Sequence, residues 1–173
     1  MKETESIALA EGLEEYPKRT IIFGNLVMLL WLALGTLAAY FISLKVAIAY
    51  LTVAILVVYF LLRKLVCANC YYYGKWCATG WGKLSALFFP QGNIEKFGTG
   101  IGVKLAGPIY GLLSLIPLVF IIISMIQKFA IIKLIVLVLL LGVSFYSRFL
   151  SRGKACVNCK MRSICPEAVK GKG

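Results

Sequence analysis

The sequence has no histidine, and every one of its seven acidic residues is a glutamate, so it has no aspartate either. The lack of imidazole excludes histidine ligation of haem or zinc, and it excludes a histidine general base. Five of the glutamates lie in the N-terminal tail and the other two are Glu95 and Glu167, so none lies in an apolar run. Ion-coupled carriers rely on ionisable groups at membrane depth, so that class is disfavoured. We expect no catalytic residues.

Apolar residues are abundant instead. They make up 61% of the 173 residues, and the mean hydropathy is +0.88. A soluble domain has roughly 45–50% apolar residues, so this chain needs lipid as its solvent. Four runs of at least 17 residues are long enough to cross a hydrocarbon layer of about 30 Å as helices. They cover residues 20–42, 46–62, 105–126 and 130–150.

The connections between these runs define the predicted fold. Only residues 43–45 separate the first two runs, and only residues 127–129 separate the last two. The sequence therefore predicts an all-α integral membrane protein whose four transmembrane helices form two hairpins. Its predicted segments are an N-terminal tail (1–19), a first repeat (20–80), an amphipathic interfacial loop (81–104), a second repeat (105–166) and a basic C-terminal tail (167–173).

Basic residues predict the orientation. All lysines and arginines except Lys45, Lys128 and Lys133 lie in the two tails, in the central loop or near the cysteines. By the positive-inside rule, both termini and both cysteine groups are expected in the cytosol of a multi-pass cell-membrane protein. Contact between basic loops and anionic lipid headgroups accounts for the formal charge of +12, so no nucleic-acid partner is expected.

Two shorter segments carry amphipathic patterns. Residues 81–89 have apolar side chains on one side of a helix, and Trp81 suits the membrane interface, so a short helix lying in the headgroup layer is predicted. Residues 90–93 should end this helix. Residues 6–13 in the N-terminal tail have a weaker pattern that suggests a second short amphipathic helix.

The six cysteines form two triplets, one after the second apolar run and one after the fourth. The pattern Phe-Leu-x-Arg-x3-Cys-x-Asn-Cys at 60–70 recurs 89 positions later, at 149–159. We interpret this recurrence as two parallel repeats, related by an axis along the membrane normal. Such an axis would bring both triplets to one cytosolic face. The triplets are Cys67, Cys70 and Cys77, and Cys156, Cys159 and Cys165.

The spacings Cys-x2-Cys-x6-Cys and Cys-x2-Cys-x5-Cys favour a metal site, with all six cysteines as ligands and zinc as the metal. A Cys-x2-Cys pair closes a tight turn whose two thiolates can point at one ion. Asn69 and Asn158 lie inside these turns, where asparagine tolerates a left-handed backbone. Neighbouring lysines, such as Lys75 and Lys160, favour the thiolate form. Disulfides are disfavoured because the cytosol is reducing.

The number of metal ions stays open at this stage. Cys67, Cys70, Cys156 and Cys159 could hold one zinc ion, or all six cysteines could hold two zinc ions with two bridging thiolates. The ligand spacing is similar to that of the binuclear zinc cluster of fungal-type DNA-binding domains. The resemblance covers the spacing alone and implies two zinc ions, without a DNA-binding role. In a third arrangement, each triplet holds an iron–sulfur cluster.

Each metal implies a different function. Zinc would be structural and would make the protein a scaffold or accessory subunit, with a protein partner docking at the cytosolic face. Iron–sulfur clusters would make it a membrane-bound electron-transfer protein or a subunit of a membrane oxidoreductase. Thiol–disulfide exchange by the Cys-x2-Cys pairs is the third hypothesis. The aromatic residues at 71–73 and 76 fit either an interfacial belt or a shell that keeps water from the metal.

Overall fold

The computed structural model describes residues 9–166 and residue 168, apart from the side chains of Lys96 and Thr99. Within these residues the chain is helical and has no strand. Four helices are long and apolar enough to cross a membrane, which confirms the predicted all-α membrane architecture. We call them spans 1 to 4: Lys18–Tyr40, Leu44–Asn69, Ile101–Gln127 and Ile131–Val157.

Spans 2 and 4 continue beyond their apolar runs and end at the cysteine pairs. Span 2 is α-helical over Leu44–Ile55, π-helical over Leu56–Leu61, α-helical over Leu62–Val66 and 3-10 helical over Cys67–Asn69. Span 4 follows the same order, with α-helix at Ile131–Phe145, π-helix at Tyr146–Ser151 and α-helix at Arg152–Val157. Both spans therefore have a π-helical stretch shortly before the first cysteine, a feature that is frequent at functional sites. Three shorter helices complete the list: Trp81–Phe88, Glu95–Thr99 and the 3-10 helix Lys160–Ser163.

Side chains at the ends of the spans satisfy the backbone groups of the short connections. Ser43 accepts a hydrogen bond of 3.2 Å from the Val46 N–H and so caps the start of span 2. Lys133 donates through Nζ to the carbonyls of Ser124 and Lys128, at 2.7 and 2.8 Å. These carbonyls lie at and just beyond the end of span 3, where helical N–H donors run out; the Ser124 carbonyl also accepts from the Lys128 N–H at 3.2 Å. Lys133 thus reaches back to the opposite helix of its hairpin.

All four spans contribute to one core. A proline in span 3 explains one of its contacts. Pro117 has no N–H, so the carbonyl of Leu113 lacks its helical partner. The buried hydroxyl of Tyr50 in span 2 donates to that carbonyl at 3.0 Å. Gly35 in span 1 leaves room for this tyrosine, since a Cβ at Gly35 would lie 2.6 Å from the Tyr50 hydroxyl.

The predicted helix at 6–13 is wrong for the residues that can be judged, because 9–17 are irregular and 6–8 lie outside the described residues. The N–H groups of Ala10 and Leu13 donate to the carbonyls of Lys160 and Asn158, each at 3.0 Å. The tail therefore bonds to the second cysteine turn and not to itself. Of the predicted C-terminal tail, 167–173, the structure describes Ala168 only.

The short helix predicted in the central loop is present as Trp81–Phe88 and ends before Pro90. Its apolar side points away from the protein: Leu84, Leu87 and Phe88 are exposed, whereas Ser85 is buried. This arrangement suits a helix whose apolar side contacts lipid while its small side packs on the protein.

Candidate metal centre

The two Cys-x2-Cys turns have equivalent hydrogen bonds. The N–H of Cys70 donates to the carbonyl of Cys67 at 3.3 Å, and the N–H of Cys159 donates to the carbonyl of Cys156 at 3.2 Å. In each turn, the N–H three positions beyond the second cysteine then donates to that cysteine's carbonyl, at 3.0 Å and 3.1 Å. The residues that form these hydrogen bonds in one turn are 89 positions from their equivalents in the other, the same offset at which the sequence motif recurs.

The asparagines in these turns stabilise the ends of the helices. Asn69 donates through Nδ2 to the Leu65 carbonyl at 3.2 Å, and Asn158 donates to the Lys154 carbonyl at 3.3 Å. The left-handed backbone expected for them is wrong, because no non-glycine residue in the described chain has a positive φ, and φ of Asn158 is −96°. Each side-chain amide satisfies a carbonyl in the last helical turn, where helical N–H donors run out.

The two turns lie against each other. Two small apolar clusters fill the space around them, and Cys70 and Cys159 border both clusters. Cys77 borders the first cluster and Cys165 borders the second. No disulfide joins the six cysteines, and all six are partly buried. The buried side chains of the clusters are Tyr16, Ile21 and Tyr72 in the first, and Phe97, Val103 and Met161 in the second.

Burial favours the neutral thiol form of two of the central cysteines. It raises the pKa of Cys70, and the nearby thiols of Cys67, Cys159 and Cys77 raise that pKa further. Burial also raises the pKa of Cys159, and thiols from both triplets again add to the effect. The two triplets are therefore close enough to interact electrostatically. A bound cation would reverse this balance, because a coordinating thiol loses its proton.

The thiols do not form a closed coordination shell. In the described residues, no three cysteine or glutamate side chains are placed so that together they could hold one ion. Two sulfurs already have donors nearby: the N–H of Gly82 donates to Cys77 Sγ at 3.3 Å, and Nη1 of Arg63 lies 3.9 Å from Cys67 Sγ. Hydrogen-bond donors to sulfur are common around cysteine ligands of metals, so the residue types suit a thiophilic metal. Joint ligation therefore requires the sulfur atoms to move closer together.

The N-terminal segment connects the two turns, a role that the sequence did not indicate. The hydroxyl of Tyr16 donates to the Ala155 carbonyl, just before Cys156, at 2.7 Å. The hydroxyl of Tyr72 donates to the Leu13 carbonyl at 2.7 Å and accepts from the Lys160 N–H at 3.2 Å. Tyr72 is 2% exposed, so these bonds lie in a dry environment. The contacts join residues up to 139 positions apart, and no local pattern announces them.

Glu14 adds a charged connection on the surface of the same segment. Its carboxylate forms ion pairs with Lys160 and with Lys75, the latter at 3.6 Å, and it accepts a hydrogen bond of 2.9 Å from Tyr71. The bonds from Lys160 and Tyr71 hold the pKa of Glu14 well below its ordinary value. Exposed ion pairs stabilise a fold only slightly. The contribution of Glu14 is to join a lysine of each cysteine region to one carboxylate.

The tyrosines at 71–73 act through their hydroxyl groups as well as their rings. They donate to Glu14, to the Leu13 carbonyl and, from Tyr73, to the Phe89 carbonyl at 2.7 Å. Tyr72 is also a buried member of the first apolar cluster, and Tyr71 borders both clusters beside the cysteines. This packing is what a water-excluding shell requires, while the expected aromatic belt remains a prediction.

Comparison with known proteins finds no family model, no curated protein and no solved structure that matches this chain. The function must therefore be inferred from the residues and their arrangement.

Proposed function

We propose that the six cysteines bind zinc jointly at the cytosolic face, and that the protein is a membrane-embedded scaffold or accessory subunit. The observation that carries the proposal is the position of Cys70 and Cys159. They come from different triplets, yet both border the same two apolar clusters. A thiophilic ion between the turns would join the two halves of the chain and give a protein partner a rigid surface on which to dock.

The environment of the thiols favours a structural metal over thiol–disulfide exchange. The attacking species in exchange is the thiolate, and its reactivity needs a lowered pKa and an accessible sulfur. Burial has the opposite effect on the pKa of both Cys70 and Cys159. In the zinc hypothesis the six cysteines are the ligands, Gly82 supplies a donor to Cys77, and Tyr72 and Tyr16 limit the access of water.

The proposal includes the duplication of the chain. The equivalent hydrogen bonds of the two turns, the equivalent asparagine contacts and the π-helical stretch in both spans 2 and 4 support two parallel repeats. With both turns at the same ends of their hairpins, one axis along the membrane normal would relate them.

Metal analysis of protein purified without oxygen tests the proposal. We expect about one to two zinc ions per chain, no iron and no broad visible absorbance. A variant with all six cysteines changed to serine is the control and should bind no zinc. Stoichiometric iron with visible absorbance would replace zinc with the electron-transfer alternative. Metal-free wild-type protein would contradict both metal hypotheses.

Cysteine labelling tests the proposed orientation, in which both termini and both turns face the cytosol. We expect no reaction of the native cysteines with a membrane-impermeant maleimide applied to intact cells, and reaction after the cells are opened and the protein is denatured. Phe129→Cys is the matched control. Phe129 is exposed in the connection between spans 3 and 4, at the other end of the helices, so it should be labelled from outside. Labelling of the native cysteines in intact cells would reverse the topology.

A further inference from the structure

A cavity of about 110 Å³ lies beside the first cysteine turn, between span 2 and the helix Trp81–Phe88. The lining residues that carry polar groups are Tyr59, Arg63, Trp81 and Ser85. Its apolar lining includes Phe60 and Phe88, which are 54% and 71% exposed at the outer surface. The cavity therefore joins a polar interior to an apolar surface that contacts lipid in a membrane protein.

Arg63 is a buried cation without a matching carboxylate. Its side chain is 8% exposed, and the guanidinium stacks on the Trp81 ring at 4.4 Å from the centroid. Its polar contacts are two sulfur atoms, Cys67 Sγ at 3.9 Å and Met28 Sδ at 4.0 Å. Within the described residues, no carboxylate pairs with it, and its Nε has no hydrogen-bond partner. A buried charge left uncompensated in this way is costly and marks a functional position in membrane proteins.

Other donors surround the same space. The indole N–H of Trp81 is buried and has no hydrogen-bond partner among the described residues. The hydroxyl of Ser85 is buried; it lies at a long 3.5 Å from the Arg63 carbonyl and is also within hydrogen-bonding reach of the Cys67 thiol. The polar lining thus supplies donors and a positive charge but no negative charge. A ligand that fits must bring acceptor oxygens and a negative charge.

The size and surroundings of the cavity limit further which ligands it can bind. A volume of about 110 Å³ is enough for several water molecules, which leaves room for a phosphate group. The exposed rings of Phe60 and Phe88 offer apolar contact directly outside. Arginine binds phosphate oxygens through paired hydrogen bonds, and basic pockets between helices are typical sites for anionic headgroups.

We propose that this cavity binds the phosphate group of an anionic membrane lipid. Arg63 supplies the charge, the Trp81 indole and the Ser85 hydroxyl donate to the phosphate oxygens, and the lipid chains lie along the exposed aromatic rings. None of these groups is a proposed metal ligand. Arg63 does lie 3.9 Å from Cys67 Sγ, so the zinc content of each variant is measured alongside its lipid binding.

Native mass spectrometry of the detergent-solubilised full chain tests this site, with phosphatidylglycerol as the probe and phosphatidylcholine as the neutral comparison. We expect the wild type to retain phosphatidylglycerol in preference to phosphatidylcholine. R63Q should bind phosphatidylglycerol at least about tenfold more weakly than the wild type does. W81F keeps an aromatic ring but removes the indole N–H, and should also weaken binding. K64Q is the matched control, since it removes an exposed neighbouring charge and should bind as the wild type does.

Melting curves show whether each variant is folded. If R63Q does not fold, W81F measures the same site. Equal losses in R63Q and K64Q would overturn the proposal, since the effect would then be one of net charge. If both R63Q and W81F fold and each binds phosphatidylglycerol as tightly as the wild type, the proposal is also overturned. Displacement of phosphatidylglycerol by millimolar inorganic phosphate would assign the cavity to a free anion instead of a lipid, and would overturn the lipid assignment.

Discussion

Gly82→Ala is expected to destabilise the protein by roughly 1–3 kcal/mol and to disturb the first cysteine turn. A Cβ at Gly82 would lie 2.6 Å from the Lys75 carbonyl oxygen and even closer to the Tyr72 carbonyl oxygen. Both are backbone atoms, so no side chain can rotate away to make room. The N–H of Gly82 donates to Cys77 Sγ at 3.3 Å, and its carbonyl accepts from Gly74 at 3.0 Å. Any shift that relieves the clash moves Cys77.

Gly153→Ala is the matched control for this variant. Gly153 also lies in a helix close to a cysteine turn, but a Cβ there would have nothing within 4 Å. Alanine in an open helical position should stabilise the protein by about 0.5–1 kcal/mol. Thermal unfolding in detergent, together with the labelling rate of Cys77, compares the two variants. Similar melting temperatures for both would contradict the close packing of Gly82 against the 72–75 backbone.

The membrane-spanning architecture could be predicted because it depends on the summed hydropathy of each segment. Each span needs about 20 apolar residues, and the average hydropathy over a window reveals that regardless of tertiary contacts. The ends of the helices were harder to predict from the sequence. The apolar runs stop at 62 and 150, whereas spans 2 and 4 continue to Asn69 and Val157. Helical hydrogen bonds continue through polar residues, and hydropathy does not report them.

The spacing of the cysteines was enough to predict the two turns. It did not predict the contacts of the neighbouring residues. The asparagines were expected to adopt a left-handed backbone, and they instead donate to carbonyls four positions earlier. A motif shows which residue types are present. The contacts of the asparagines depend on which backbone carbonyls lack a helical donor, and that is decided by where the helix ends.

Long-range contacts explain the remaining differences. Tyr16 and Glu14 lie in what the sequence showed as a polar tail, and their partners are up to 146 positions away. In the sequence, Arg63 stood out only as a basic residue for topology and as part of the motif that recurs at 149–159. Its burial against Trp81 depends on the packing of the loop helix on span 2, which no single segment encodes.

The second large effect concerns sharing of the metal between the two turns. Cys70→Ser and Cys159→Ser are each expected to remove more than half of the bound zinc, although each changes one ligand in one triplet. The reason is that Cys70 and Cys159 border the same two clusters, so an ion at that point would take ligands from both triplets. Cys165→Ser distinguishes the two zinc arrangements: it should keep the metal if four thiolates hold one ion, and lose metal if all six hold two.

The zinc content of the Cys70→Ser/Cys159→Ser double variant, compared with both single variants and the wild type in folded protein, tests joint binding most directly. Changes within one site are not additive, so a shared site predicts a double variant that loses little more zinc than either single variant. If each single variant kept half of the wild-type zinc and the double variant kept none, the triplets would bind zinc independently, and joint binding would be contradicted.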